Sequence, residues 1–303
     1  MWSFLFSTFI PILLMLCGIG VMVAVAYVWK RKQDRKHRQS PLTQDLMRPP
    51  GYSLQLKVNE LNDEVSFSFI LILLIPFLLY SLHVSQSYFG DVPESLPRTI
   101  IMLIVSLGAI AFLGYRLTKV LSERKNNALG LQGEMFVGEE LNQLMLYGCR
   151  VFHDIPFDYG NIDHVIVSPS GVYSVETKMK QKPKEGKGKA EVIIDHQQNV
   201  FRFPDREEEI DINQLEAEEK WLSNYLTSSV GIQVQVQPIL ALPGWYIKQR
   251  IGRGSYYVIN PKNPINFFVN HRVRLTPKEI QQVAHQLEQL CRNVAPVFRE
   301  KKK

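Results

Sequence analysis

The chain has 303 residues, with 35 basic against 29 acidic side chains and a formal net charge of +6. This mild excess does not by itself argue for a nucleic-acid partner. The three cysteines, Cys17, Cys149 and Cys291, are too widely spaced for a zinc motif and do not form a disulfide framework.

The N-terminal run from Trp2 to Trp29 contains no charged residue. At about 1.5 Å per residue, a helix of this length exceeds the roughly 30 Å hydrocarbon core of a bilayer. A cleaved signal peptide is the alternative, but the run lacks a basic n-region and a clear cleavage site, and a basic cluster follows it. We therefore predict a transmembrane helix over residues 1–29.

Two shorter uncharged runs follow, and they predict transmembrane helices over residues 67–84 and 99–117. Pro76 interrupts the first of these runs. Residues 30–66 have little periodicity and several prolines, which predicts a cytoplasmic basic loop.

The placement of lysine and arginine orients these predicted helices. Basic residues follow the first run at Lys30, Arg31, Lys32, Arg35, Lys36 and Arg38. The loop between the second and third runs offers only Arg98 beside Asp91 and Glu94. Basic residues return after the third run at Arg116, Lys119, Arg124 and Lys125. The bias predicts a multi-pass protein of the inner (plasma) membrane, with the N-terminus outside and the C-terminal domain in the cytoplasm. The bilayer is thus a predicted partner, and the uncharged runs give little support to a transport pathway.

A domain of α/β class is predicted over residues 126–245. It opens with a helix bracketed by Gly133 and Gly148, whose apolar stripe includes Glu134. A carboxylate on a buried face needs a partner, such as a metal ion or the lysine of a neighbouring strand. The alternative is a first-turn glutamate that favours the helix dipole and leans into solvent.

Three strands follow the helix, and they carry most of the candidate site. They are predicted at Arg150–Asp154, Ile162–Ser168 and Val172–Lys178. Because side chains alternate along a strand, Glu176 and Lys178 share one face. A two-residue or four-residue turn would pair Asp163 with Glu176 on that face, whereas a three-residue turn with a bulged Gly171 would turn Asp163 away. The structural alternative is a cross-strand salt bridge on a solvated sheet face.

A lysine-rich loop follows the third strand. Its candidate nucleic-acid-binding residues are Lys180, Lys182, Lys184, Lys187 and Lys189. Such a loop beside a carboxylate centre is suited to holding a phosphate backbone, although lysine-rich loops are more often simply solvated.

A second helix is predicted over Ile212–Leu226, where Gln214, Trp221 and Tyr225 share a face. That face either meets the site or packs its aromatic rings against the core.

Residues 246–303 are predicted as a C-terminal extension. Further predicted elements are strands at Val234–Leu242 and Tyr256–Ile259, a capped helix from Thr276 to about Asn293, and a basic tail at Arg299–Lys303.

Three segments, GLQGEMFVGEEL, GNIDHVIVSPSGVYSVETK and NQLEAEEKWL, resemble the NERD (nuclease-related) domain, whose fold is similar to that of PD-(D/E)xK restriction-type nucleases. The resemblance covers about residues 126–245 and implies a restriction-endonuclease-like α/β domain with a mixed central sheet. With the three N-terminal transmembrane helices predicted above, the chain is expected to be a membrane-anchored α/β protein. It assigns catalytic positions to Glu134, Asp163, Glu176, Lys178 and Gln214. The lysine-rich and then acidic segment between Lys178 and Gln214 departs from the family's usual pattern.

The resemblance also implies the chemistry. Asp163 and Glu176, with Glu134, are expected to hold Mg²⁺ or Mn²⁺, where Glu134 holds a metal-bound water or a second ion. Lys178 is expected to orient and help deprotonate a water molecule, and Gln214 to contact a phosphate or orient an active-site group. The expected activity is hydrolysis of phosphodiester bonds in nucleic acid, with DNA the expected substrate. The alternatives are a catalytically silent NERD module that binds nucleic acid or protein at the membrane, or an oligomerising anchor in residues 1–125 that the domain regulates.

Overall fold

The structure is a computed structural model that describes residues 2–34, 41–89, 93, 95–269 and 272–296. Part of the basic cluster after the first helix, both acids of the predicted outer loop and the basic tail lie outside the described residues. The chain divides into two compact units, one with residues 1–41 and 58–125, the other with residues 42–57 and 126–299.

The N-terminal region is helical. Three helices are long and apolar enough to cross a membrane: α1 (Trp2–Asp34), α2 (Tyr52–Phe89) and α3 (Leu96–Asn142). They contain the three predicted spans. Within the first unit, Arg116 of α3 forms a 2.7 Å ion pair with Glu64 of α2, and Arg124 donates to Asn62 at 2.5 Å.

Two predicted boundaries of these helices are wrong. The predicted loop of residues 30–66 ends early, because α2 begins at Tyr52. No separate helix begins at Gly133, since α3 continues through it. Gly133 allows close packing. A Cβ there would lie 2.7 Å from Cβ of Met179, so a larger residue would force α3 and the chain at Met179 apart. After α3, a short 3₁₀ helix (Gln143–Tyr147) ends at Gly148 in the left-handed conformation.

A five-stranded mixed sheet forms the centre of the second unit. Its strands are β2 (Arg150–Phe157), β3 (Gly160–Ser168), β4 (Gly171–Thr177), β8 (Val236–Ala241) and β10 (Tyr257–Ile259). The order is β10-β8-β4-β3-β2, with β10, β8 and β4 parallel and β4, β3 and β2 antiparallel. The prediction of an α/β region with a mixed sheet is confirmed.

Helices cover both faces of this sheet. The end of α3 packs Val137 and Leu141 against Ile166 and Val175. The opposite face packs against α4 (Ile212–Val230) and α6 (Pro277–Cys291). The capping box predicted for α6 is confirmed, since Thr276 and Glu279 exchange hydrogen bonds at its start.

A second, four-stranded sheet was not predicted. It has the order β7-β6-β5-β9 and consists of β5 (Glu191–Asp195), β6 (Val200–Arg202), β7 (Glu207–Glu209) and β9 (Tyr246–Ile251). It shares a core with Leu215 of α4, in which Phe201 and Trp245 are buried. A short helix, α5 (Ile265–Phe268), belongs instead to the core of the main sheet, where Phe268 packs with Val137 and Tyr173.

The segment before α2 belongs to the second unit. Its strand β1 (Leu46–Met47) pairs with β11 (Arg292–Val294). Arg48 makes a 2.7 Å ion pair with Asp154, which is fully buried. Ser53 donates to the same carboxylate through its backbone N–H at 2.9 Å and its hydroxyl at 2.8 Å. This segment is therefore tied to β2 through a buried carboxylate.

Candidate active site

The turn between β3 and β4 places the two strand acids opposite each other. Ser168 pairs with Gly171, which leaves a two-residue loop, and the pairing runs on to His164 and Val175. Asp163 and Glu176 occupy the next position in this register. Of the alternatives that the sequence left open, the structure selects the direct pairing on one face.

That shared face points towards α4. Val165 and Val172, which have the same strand parity as Asp163 and Glu176, pack in the core cluster that includes Leu222 of α4. The backbone N–H of Thr177 donates to Asp163 Oδ2 at 2.8 Å. The acids are thus held between the sheet and the start of α4.

Lys178 links the central strand to α4. Its Nζ donates to Glu176 Oε1 at 2.7 Å and to Gln214 Oε1 at 3.0 Å. Asp163 and Glu176 are each only 6% exposed. The alternative of a cross-strand pair on a solvated face is therefore wrong, because the ion pair runs along one strand and its acid is buried.

Glu134 reaches the site from the other layer. It lies in the interior of α3 and is 6% exposed, so the alternative of a solvent-facing first-turn glutamate is wrong. Gly51 packs beside it, where an added Cβ would lie 3.7 Å from Oε2 of Glu134.

A fourth carboxylate, Glu218, was missed by the sequence analysis. It is fully buried on α4, one turn after Gln214, and its Oε1 accepts a 2.8 Å hydrogen bond from Gln214 Nε2. The four-residue spacing from Gln214 on the same helix was the available signal.

The carboxylates strongly perturb one another. Burial, reinforced by the charges of Glu176 and Asp154, raises the pKa of Glu134 to about 8. Burial and the charge of Glu176 likewise raise the pKa of Glu218 to about 8. The pKa of Asp163 is raised well above its ordinary value by burial and by the charges of Glu176 and Glu134.

The pKa of Lys178 shifts in the direction opposite to the effect of burial. Burial alone would lower its pKa, but the charge of Glu176 and the hydrogen bond that Lys178 donates to it outweigh this effect, so the pKa of Lys178 is raised. The lysine is therefore an ammonium group in this arrangement.

Several carboxylate oxygens at the site lack a donor. Among the described residues, Oε2 of Glu134, Glu176 and Glu218 are all buried without a hydrogen-bond partner. Buried anionic oxygens need a cation or a proton, so these carboxylate ligands fit a hard divalent ion. No group of three or more His, Cys, Asp and Glu side chains that could hold a metal occurs in the described part of the chain. Direct coordination by one or two carboxylates, with water completing the shell, is the mode that Mg²⁺ favours.

A chain of hydrogen-bonded polar side chains connects the end of α3 to β4 beside the site. It runs from Asn142 to His153 (3.0 Å), to His164 (2.9 Å) and to the hydroxyl of Thr177 (3.3 Å). Burial lowers the pKa of His153 to about 4 and the pKa of His164 well below its usual value. Both imidazoles are thus neutral near pH 7 and join the end of α3 to the strand that carries Glu176.

The predicted lysine loop is held along the turn after β8. The indole of Trp245 donates to the carbonyl of Lys180 at 3.1 Å, and Lys182 lies over its ring at 5.7 Å. Lys180 is half-buried and ion-paired with Glu208. The other four candidates are exposed, and within the described chain no carboxylate lies at ion-pair distance from them: Lys182, Lys184, Lys187 and Lys189.

The polar and the aromatic residues of α4 contact different parts of the domain. Gln214 meets the site, whereas Trp221 stacks on Tyr225 and contacts Phe157, and all three pack against the main core. Of the two roles considered for this helix face, the site role applies to Gln214 and the packing role to the aromatic pair.

Comparison with known proteins gives one family match. The family model of the NERD, or nuclease-related, domain matches residues 129–243. Searches of curated proteins and of solved structures gave no significant match. The matched range includes all five catalytic candidates.

Proposed function

We propose that this protein hydrolyses phosphodiester bonds of nucleic acid, with DNA the expected substrate, using Mg²⁺ or Mn²⁺. The observation that carries the proposal is the set of buried acids Asp163, Glu176 and Glu134 around Lys178, with oxygens that have no donor within the described chain. The NERD match adds that the domain is nuclease-related.

The residues fit a divalent ion in defined roles. Asp163 and Glu176 would hold it directly, and Glu134 would act through a metal-bound water. When bound, the ion supplies charge that stabilises the attacked phosphate and the leaving oxygen. Thr177 keeps Asp163 oriented through its backbone N–H, so this ligand does not depend on solvent for its position.

Lys178 acts on the phosphate side of the site. Its ammonium, held by Glu176 and Gln214, is a donor suited to a non-bridging phosphate oxygen or to an attacking water. A role as base requires its pKa to fall, and positive charge near Glu176 would act in that direction. Orientation of the water is thus its first role, and deprotonation depends on the loaded site.

Purified full-length protein in detergent tests the proposal directly. We expect cleavage of circular, linear or single-stranded DNA, or of RNA, that requires Mg²⁺ or Mn²⁺ and is lost in Asp163→Asn. Asp195→Asn, a matched change at a buried acid in the second sheet, should retain it, since Asp195 pairs with Arg202 away from the site. Absence of metal-dependent cleavage of all four substrates would refute the activity.

A catalytically silent binding module is the second candidate. The observation that favours it is the 2.7 Å ion pair between Lys178 and Glu176, which already satisfies one oxygen of the central acid. In that case Mg²⁺ and Mn²⁺ should leave the melting temperature unchanged, since a ligand that binds only the folded state must raise it. A metal-dependent rise in melting temperature would reject this candidate.

We further propose that the domain acts in the cytoplasm, tethered to the inner membrane. Three helices long and apolar enough to cross a membrane support the tether. The basic residues after the first and third uncharged runs support the orientation.

A further inference from the structure

Glu218 has a setting that packing alone does not explain. It is fully buried on α4, between Leu215 and Leu222 of the same helix, which are also buried. A leucine there would bury apolar surface, whereas a carboxyl group must be desolvated. A buried acid at this position therefore calls for a role.

The contacts of Glu218 lead to Gln214. Gln214 Nε2 donates to Glu218 Oε1 at 2.8 Å, and Gln214 Oε1 accepts from Lys178 at 3.0 Å. An amide has one donor end and one acceptor end, so the acceptor at Glu218 determines which end faces Lys178. With the amide reversed, its NH₂ group would face the ammonium, and two donors would oppose each other.

Lys178 is therefore held from two sides. Glu176 fixes it along its own strand, and Gln214 fixes it from α4 only while the amide keeps this orientation. From these contacts we propose that Glu218 is a positioning residue, which sets the amide of Gln214 and through it the ammonium of Lys178. This inference rests on the proposed function for its effect on catalysis but not for its effect on Gln214.

Two substitutions separate positioning from packing. Glu218→Leu removes the acceptor and keeps an apolar side chain of similar size, whereas Glu218→Gln keeps a carbonyl acceptor for Gln214. We expect Glu218→Leu to lower kcat by roughly 10–100-fold, the range for residues that orient first-contact groups, with Glu218→Gln clearly more active. Glu218→Leu should melt close to the parent, because the apolar side chain removes the cost of desolvating a carboxyl group, which offsets the loss of an acceptor for the partly exposed Gln214. Glu216→Gln, at an exposed position of the same helix, is the matched control and should behave as the parent.

A readout independent of cleavage is the side-chain amide of Gln214. In ¹⁵N-glutamine-labelled full-length protein, its NH₂ signals are assigned by their disappearance in Gln214→Glu. We expect them to be shifted and protected from exchange in the parent and in Glu218→Gln, and to lose both properties in Glu218→Leu.

The outcomes decide the inference. Full activity in Glu218→Leu overturns it, as does an equal loss in Glu218→Gln while the amide signals stay ordered, because the charge would then matter and not the acceptor. If the parent cleaves nothing, the proposed function fails but the amide signals still decide: unchanged signals in Glu218→Leu overturn the positioning role.

Discussion

At the scale of single residues, the site collects four buried carboxylates around one ammonium group. Glu134, Asp163 and Glu218 all have raised pKa values, each mainly because of burial and secondarily because of neighbouring acids. Full ionisation of such a group is unfavourable without added positive charge. Protons and a divalent ion therefore compete for the same oxygens, which makes both stability and metal binding depend on pH.

The substitution Asp163→Asn tests whether Asp163 is a metal ligand or a structural acid. We expect cleavage to be lost while the metal-free protein is as stable as the parent or slightly more so, because repulsion from Glu176 and Glu134 is relieved and the amide oxygen still accepts from Thr177. Glu176→Gln should likewise lose cleavage. The measurement is metal-dependent cleavage together with thermal melting in the absence of divalent ions.

The control for this prediction is Asp195→Asn, which should change stability in the opposite direction. Asp195 accepts from Arg202 at 2.9 Å and from the backbone of Gln197 at 2.9 Å, so its charge is satisfied and its loss is destabilising. Marked destabilisation by Asp163→Asn with no response to metal would instead identify a structural acid.

Glu134 should make the stability of the metal-free protein fall as pH rises. The pKa of Glu134 is raised from 4.5 to about 8. The stabilisation of the folded state that results from this shift is fully present below pH 4.5 and is lost as pH rises through 8. The slope is at most about 1.4 kcal/mol per pH unit for one proton. The free energy of unfolding, measured between pH 5 and 8.5, should depend less on pH in Glu134→Gln than in the parent. In the parent, Mg²⁺ should bind more tightly as pH rises, because the carboxyl groups must lose their protons before they bind the ion. Equal slopes in both proteins would contradict this assignment.

At the scale of elements, the hairpin of β3 and β4 was predictable and the second sheet was not. Alternating apolar residues and a short SPSG turn specified the hairpin, whereas the face of Asp163 depended on a turn length that the sequence left open. Two strands of the second sheet, β6 and β7, have only three residues, and β7 consists of three glutamates, so no hydrophobic alternation marks these strands. The boundary at Gly133 was misplaced because a glycine needed for close packing against Met179 looks, in sequence, like a helix end.

The contact between Arg48 and Asp154 should hold the segment before α2 on β2. Arg48→Ala leaves a fully buried carboxylate without its ion-pair partner, and we expect a loss of about 3 kcal/mol in the free energy of unfolding. Lys248→Ala, which removes an exposed ion pair with Glu191, is the control and should cost at most about 1 kcal/mol. Chemical unfolding of both variants measures the difference, and equal small losses would show that the segment is not held through Asp154.

The lysine loop should contribute to nucleic-acid affinity through its exposed members only. Replacing Lys182, Lys184, Lys187 and Lys189 with glutamine removes up to four cations and should reduce the slope of log K against log salt by up to about 3. Lys180→Gln is the matched control and should change the slope less, since Glu208 already neutralises Lys180. Binding of labelled DNA by non-cleaving Asp163→Asn protein at several salt concentrations provides the slopes. An unchanged slope in the quadruple variant would assign the loop to the solvated alternative.

At the scale of the whole molecule, the compact unit around the site is larger than its family match. The match covers residues 129–243, whereas the unit also includes residues 42–57 and helix α6. Strand β1 pairs with β11, and Asp154 accepts hydrogen bonds from Arg48, before α2, and from Ser53, in the first turn of α2. Sequence reasoning missed this because the segment has no periodicity of its own, and its contacts are made with residues more than 100 positions away.

The orientation of the whole chain follows from its basic residues and is testable by reporter fusion. Lys30, Arg31 and Lys32 follow the first apolar run, and cytoplasmic loops carry the excess of such residues, so the N-terminus should face outward. A reporter fused after Lys303 should therefore be active only when it requires the cytoplasm, and one fused before Met1 only when it requires the outside. Replacing the three basic residues with glutamine is the internal control, because it should weaken the bias and produce mixed topology. Periplasmic activity of the C-terminal fusion in the parent would place the candidate site away from cytoplasmic nucleic acid and would reject the proposed tethered nuclease.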